Sequence, residues 1–216
     1  MSRSLTRNSM RNAAALLGCL GLAVFVAGCR VHVDKDANGE EKNVQVDTPF
    51  GGIHVNTDQT SAADLGLPVY PGAEAVRDND RDKSADVHMG FGQWELRVKV
   101  VNYTTTDSQE KVVDFYKHAL GRYGDVIACQ NDSPVGKPTV TAEGLNCSDN
   151  DSNVNVSTGQ NNYGYHKGSN GFELKAGSKQ HQHIVGFESS APGQTRFSLV
   201  ALDLPFSSSS DQGKSD

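Results

Sequence analysis

The sequence predicts an α+β fold: an antiparallel sheet with one principal amphipathic helix packed on it, preceded by a β-hairpin arm. Three observations lead there. Gln93 to Tyr103 alternates, with Trp94, Leu96, Val98 and Val100 on one face and Glu95, Arg97 and Lys99 on the other, the pattern of a half-buried antiparallel strand. Directly after it, Val112, Phe115, Tyr116, Ala119 and Tyr123 recur at helical spacing, while Lys111, Asp114, Lys117 and Arg122 face away. The remainder is rich in Gly, Asn, Ser and Asp, the composition of short strands joined by turns.

Taken in order, Arg30-Val31-His32-Val33 and Asn43-Val44-Gln45-Val46 alternate around the turn residues Asp36-Ala37-Asn38-Gly39, which predicts a hairpin. Phe50 to Val55 follows as a short strand, and the polar stretch 56–64 reads as a linker. Residues 29–65 are therefore expected to form an arm and linker, and residues 66–206 the main domain. Leu67 to Gly72 is a rigid entry, because two prolines fix the chain and Pro71-Gly72 is a turn signal. Residues 77–86 read as a charged loop before the strand at Gln93. Asp107-Ser108-Gln109-Glu110 is close to a capping box, and Gly121 and Gly124 are natural helix stops. Val126 to Cys129 and Gly144 to Cys147 read as short strands. Ser148 to Gly171 is polar and reads mostly as exposed loop with room for a short strand. Phe172 to Glu188, bent at Gly177 or Gly186, and Thr195 to Leu204 close the domain, joined by a turn at Pro192-Gly193. The tail at 207–216 is polar and expected to be disordered.

The N-terminus carries an address. Arg3, Arg7 and Arg11 stand without an acid, and Ala13 to Val26 is an apolar run too short and glycine-punctuated for a spanning helix. This is the pattern of a secretory signal peptide, residues 1–28. Val26-Ala27-Gly28-Cys29 resembles the bacterial lipobox, whose cysteine receives a diacylglycerol before the peptidase cuts in front of it. The resemblance implies a lipidated Cys29 and attachment to a membrane through that lipid. Arg30 after the cysteine is not the aspartate of inner-membrane retention, so the outer membrane is the expected location, facing the periplasm or the cell surface.

The net charge of -6 belongs to a chain whose signal is basic, so the mature part is more acidic still. That argues against a general nucleic-acid binder. Of four cysteines, Cys19 leaves with the signal and Cys29 takes lipid. Cys129 and Cys147 remain, and in an exported domain they are expected to form one disulfide, with free thiols or half of a metal site as alternatives.

Tyr70-Pro71-Gly72-Ala73, the alternating strand ending at Tyr103-Thr104, and the helix Asp107-Ser108 to Lys111-Val112-Val113-Asp114-Phe115-Tyr116 are similar to a pattern in uncharacterised exported lipoproteins of environmental bacteria. Those share a "YPGA" entry and a "DS-x-EK-V-x-x-FY" helix. The resemblance covers about a quarter of the chain and implies a fold and an address, without an activity.

Candidate chemistry is sparse. Asp34-Lys35-Asp36-Ala37-Asn38-Gly39 reproduces the opening of a calcium loop, but its twelfth position is Gln45 and turn chemistry explains the same residues. His181 and His183 share one strand face with His166 in the loop before; without a matching carboxylate or cysteine, a solvated face is the simpler reading than a zinc or copper site. Ser169, in Gly168-Ser169-Asn170-Gly171, lacks the strand and helix of a nucleophile elbow. Tyr163 and Tyr165 are the aromatics available to a partner. No catalytic, cofactor-binding or metal-ligating residue is assigned, and no cofactor is expected. Two classes stay open: a noncatalytic binding or structural module of the cell envelope with an envelope protein or glycan partner, or an envelope hydrolase or metal-handling protein whose residues converge only in space.

Overall fold

Period-two alternation holds over the strand at Gln93 and then inverts, and that inversion organises the molecule. In β6 (Trp94–Thr105), Leu96, Val98 and Val100 are buried on one face, and Val101, Tyr103 and Thr105 on the other. Each end of the strand therefore feeds a different core. The structure, a computed structural model, describes residues 29–35, 37, 41–76, 83–148, 154–158, 161–165, 171–188 and 190–205, with backbone only for 41–42, 154–158 and 161–165. Residues 1–28, expected to be a signal peptide, and 207–216, expected to be a disordered tail, lie outside the described residues.

The elements in chain order are β1 (Arg30–Lys35), β2 (Glu41–Thr48), β3 (Gly51–Thr57), β4 (Glu74–Ala75), β5 (Ser84–Phe91), β6, α1 (Gln109–Leu120), β7 (Ile127–Gln130), β8 (Ser133–Pro134), β9 (Val154–Thr158), β10 (Asn161–Tyr165), β11 (Phe172–Gly177), β12 (His181–Glu188) and β13 (Thr195–Asp203). An 11-stranded antiparallel sheet runs β1-β2-β3-β5-β6-β13-β12-β11-β7-β8, with β4 added on β6. One 12-residue helix, α1, lies on it, so the α+β class with a helix on an antiparallel sheet holds.

The helix buries Val112, Val113, Tyr116 and Leu120 against Val101 and Tyr103 of β6, Leu174 and Ala176 of β11, Val185 and Phe187 of β12, and Phe197 and Leu199 of β13. Phe197 sits at the centre, its ring 5.7 Å from Tyr103, 5.6 Å from Tyr116, 6.3 Å from Phe187 and 6.5 Å from Tyr70. A helix this short is marginal alone, so this packing holds it. The opposite face of the sheet carries a second core: Val44, Val55, Ala85, Val87, Leu96, Val98, Val100, Ile184, Val200 and Leu202.

Several expectations need correction. The hairpin β1–β2 forms in register from Arg30↔Asp47 to Asp34↔Asn43. The stretch 56–64, however, is no linker. Asn56 and Thr57 end β3, which pairs with β5 along its whole length, and a 3-10 turn over Ala62–Leu65 buries Ala62 and Leu65 under the helix. The charged loop stops at residue 83, because Ser84 to Phe91 forms β5. The capping residue of α1 is Ser108, and it makes no side-chain cap bond. Asp107 is occupied elsewhere: it accepts from the Tyr70 hydroxyl at 2.9 Å and from Lys111 Nζ at 2.8 Å. Phe172 to Glu188 is two strands of a hairpin. Gly177, at φ +106, turns the chain where a Cβ would come within 2.2 Å of the His181 carbonyl oxygen. Gly144 to Cys147 is irregular backbone, turned at Gly144 (φ +82), with the Leu145 N–H on Thr141 Oγ1 at 3.0 Å. The disulfide Cys129–Cys147 forms as expected, but it clamps this loop onto β7 instead of joining two strands. Residues 148–171 contain the hairpin β9–β10, whose second strand lies against β5 and β6.

Candidate interaction face

The helix covers only half of its face of the sheet. Beyond the inversion in β6 the same face continues as polar side chains, and antiparallel register sets them in rows. One row crosses seven strands: His32 on β1, Gln45 on β2, His54 on β3, His88 on β5, Arg97 on β6, Asp203 on β13 and His181 on β12. At about 4.8 Å between strands this row is roughly 29 Å wide. The adjacent row reads Asp34, Asn43, Asn56, Asp86, Lys99, Ala201 and His183.

Carboxylates orient the rings. His32 Nε2 lies 3.1 Å from Asp34, His54 Nε2 3.0 Å from Asp47, His88 Nε2 2.9 Å from Glu95, and His181 Nδ1 2.8 Å from Asp203. Each ring has one nitrogen tied to a carboxylate, and that bond fixes its orientation. Glycine makes room for one of these bonds: a Cβ on Gly52 would sit 3.0 Å from Asp47 Oδ1 and 3.4 Å from His54 Nε2. The rings of His54 and His88 meet edge to face at 6.1 Å. Arg97 adds a fork on Asp86 at 3.0 and 2.6 Å. The His54 bond, with that from Gln45, holds the Asp47 carboxyl below its ordinary range.

At the boundary with the helix, the 3-10 turn presents its last carbonyls to cations and donors. Lys99 Nζ donates to Asp64 O at 3.0 Å, and the Tyr123 hydroxyl to Gly66 O at 2.7 Å. His183 stacks on Tyr123, centroids 3.6 Å apart. Burial pushes the His183 imidazole below its ordinary pKa of 6.5, against upward pulls from the Leu65 carbonyl and Asp203; His181 nearby adds to the depression. The folded value is the lower one, so the unfolded chain takes the proton first. Stability from neutral His183 is complete above about pH 6.5 and is lost as pH falls through the folded value. The thermal midpoint should therefore decline as pH falls below about 6.5, and His183→Phe, which keeps a ring on Tyr123, should flatten that part of the profile. An unaltered slope in His183→Phe would place the acid sensitivity elsewhere.

The residues singled out in the sequence fall as follows. His181 and His183 do share a face, yet one is exposed on Asp203 and the other half-buried on Tyr123; among the described residues no three His, Cys, Asp or Glu side chains are grouped to hold a metal. Asp34 of the calcium-loop reading is a strand residue bonded to His32, and Gln45 sits across the hairpin donating to Asp47 at 2.6 Å; Asp36, Asn38 and Gly39 lie outside the described residues. So do His166 and Ser169, and the side chains of Tyr163 and Tyr165. Cys29 is exposed and immediately precedes β1. A depression of about 180 Å³ opens on the polar face between His32, Asp34, Asn43, Gln45, His54 and Asn56. That is below the roughly 300–1,000 Å³ of small-molecule sites, so the face presents a surface more than a cavity.

The fold and face together define an α+β sheet protein with one apolar half-face under a helix and one polar half-face in the open. Compared with protein-family models, curated proteins and solved structures, the chain matches none.

Proposed function

We propose that the protein is an exported lipoprotein, held to the envelope by lipid on Cys29, which acts as a noncatalytic binding or structural module. The observation that carries the binding part is the polar row crossing seven strands. Its imidazoles are fixed by carboxylates, and the residues around it enclose little volume. A broad, pre-oriented array of donors and acceptors suits an envelope protein or a glycan, whose many polar groups are met by many weak partners on a rigid element. Catalysis would instead need a nucleophile or acid–base pair aimed at one enclosed point. The lipid supplies the membrane partner, and the polar face the second one.

The test is His54→Ser with His88→Ser in intact cells. Both rings are partly exposed and neither belongs to an apolar core, so the thermal midpoint should shift little. Chemical crosslinking of the wild-type protein to its neighbours should give a specific band that the double variant loses. If every crosslinked band survives, the contact surface is not this face.

A further inference from the structure

We infer that the end of the sheet next to Cys29 is a membrane-docking tip, built from Phe50, Phe91 and Trp94, that seats in the headgroup region of a phospholipid bilayer. This rests on the lipoprotein reading and adds to it how the protein stands on the membrane. Phe50 is 84% exposed, Phe91 45% and Trp94 39%, with Val31 at 64% on the edge strand β1. The topology gathers them. β1 starts at Arg30, opposite Asp47; β2 then ends in the turn that carries Phe50; Gly51 after that turn pairs with Phe91; and Phe91 pairs with Trp94 across the next turn. The chain before β1, 28 residues followed by Cys29, thus ends at the same edge as the two aromatic turns.

The rings are presented by built turns. Thr48 Oγ1 accepts from the Phe50 and Gly51 N–H groups at 3.3 and 3.1 Å and donates to Gly51 O at 2.8 Å, which fixes the first turn with Phe50 outward. A Cβ on Gly51 would come within 2.5 Å of Phe91 Cδ1, so glycine is what lets the Phe91 ring lie over β3 beside that turn. Phe91 and Trp94 then meet at 5.9 Å. Large apolar rings beside polar backbone, at an edge that ends in a lipid-bearing cysteine, fit the bilayer interface, where aromatic side chains concentrate. Two acyl chains already retain a protein on a membrane, so the tip's contribution is orientation. With the tip seated, the sheet stands on its end and the polar row faces sideways into the space beside the membrane.

Trp94 is the only tryptophan of the chain and reports its own depth. The full protein, purified from membranes, is reconstituted into phosphatidylethanolamine and phosphatidylglycerol vesicles containing lipids brominated near the top of the acyl chain. Bromine should quench Trp94, and Phe50→Ser with Phe91→Ser should lower that quenching at least about twofold while the protein still floats with the vesicles. The melting profile of the double variant, altered only at exposed rings, should match that of the wild type. Unquenched Trp94 in acylated, floating protein overturns the tip and leaves the lipoprotein reading intact. So does quenching indifferent to the two phenylalanines, or Trp94 shielded by self-association without lipid. An intact mass lacking acyl groups on Cys29 overturns the lipoprotein reading, and the tip with it.

Discussion

Replacing Lys175 by Met should cost about 3–5 kcal/mol of folding free energy, the usual consequence of leaving one member of a buried ion pair without the other. Lys175 and Glu173 are both fully buried, with Nζ and Oε1 2.9 Å apart. Lys175 also donates to the Cys147 carbonyl at 3.3 Å, tying the strand to the disulfide-bonded loop above it. With the ammonium gone, the Glu173 carboxylate keeps its desolvation without its cation. The pairwise origin of the loss is separable: in Lys175→Met with Glu173→Gln both charges leave together, and most of the lost stability should return. Urea unfolding of the two variants measures this. A single-variant loss under about 1 kcal/mol would mean that water reaches the pair.

The disulfide has the next largest expected effect. Cys129 and Cys147, 18 residues apart, clamp the irregular segment before Cys147 onto β7, covering Ile127 and bringing Leu145 out of solvent. In the loop-entropy model a closure of this length is worth about 3 kcal/mol, so Cys129→Ser with Cys147→Ser should lower stability by that order. The loss should not add to that of Lys175→Met, since both loosen the same loop. Alkylation under denaturing, non-reducing conditions, read by mass spectrometry, should leave both cysteines unlabelled. Two alkylated cysteines from exported protein would contradict the bridge.

How far the sequence reached is set by what alternation can report. Period-two patterning named the strand at Trp94 and which side chains share a face, because side-chain direction is local, but it placed the 39% exposed Trp94 with the buried residues and took the face that buries Val101 and Tyr103 for a solvated one. It could not say what covers each face. Glu173 and Lys175 alternate as a solvent face would, yet the loop that ends at Cys147, 28 residues before Lys175, shuts over them. Glu95, Arg97 and Lys99 alternate in the same way, and there Glu95 is exposed and Arg97 and Lys99 half-buried. The helix was legible from its stripe, whereas its cap was not, since Asp107 has a long-range partner in Tyr70. Strand β5 was hidden by the charges around Asp86, which pairs with Arg97 on the next strand. The candidate face was missed for the same reason. His32, His54, His88 and His181 are isolated in sequence, and only the register of seven strands sets them in a line. The pairing of Cys129 with Cys147, by contrast, needed only a count of the cysteines left once Cys19 and Cys29 are set aside for the proposed signal and anchor.

On the lipoprotein reading proposed above, Cys29 anchors the chain by lipid, with the sheet beginning at the very next residue. Feeding cells radiolabelled palmitate measures it most directly. Label is expected in the wild-type protein and none in Cys29→Ser, which should instead accumulate unprocessed or be released from the membrane fraction. Equal labelling of the two would contradict it.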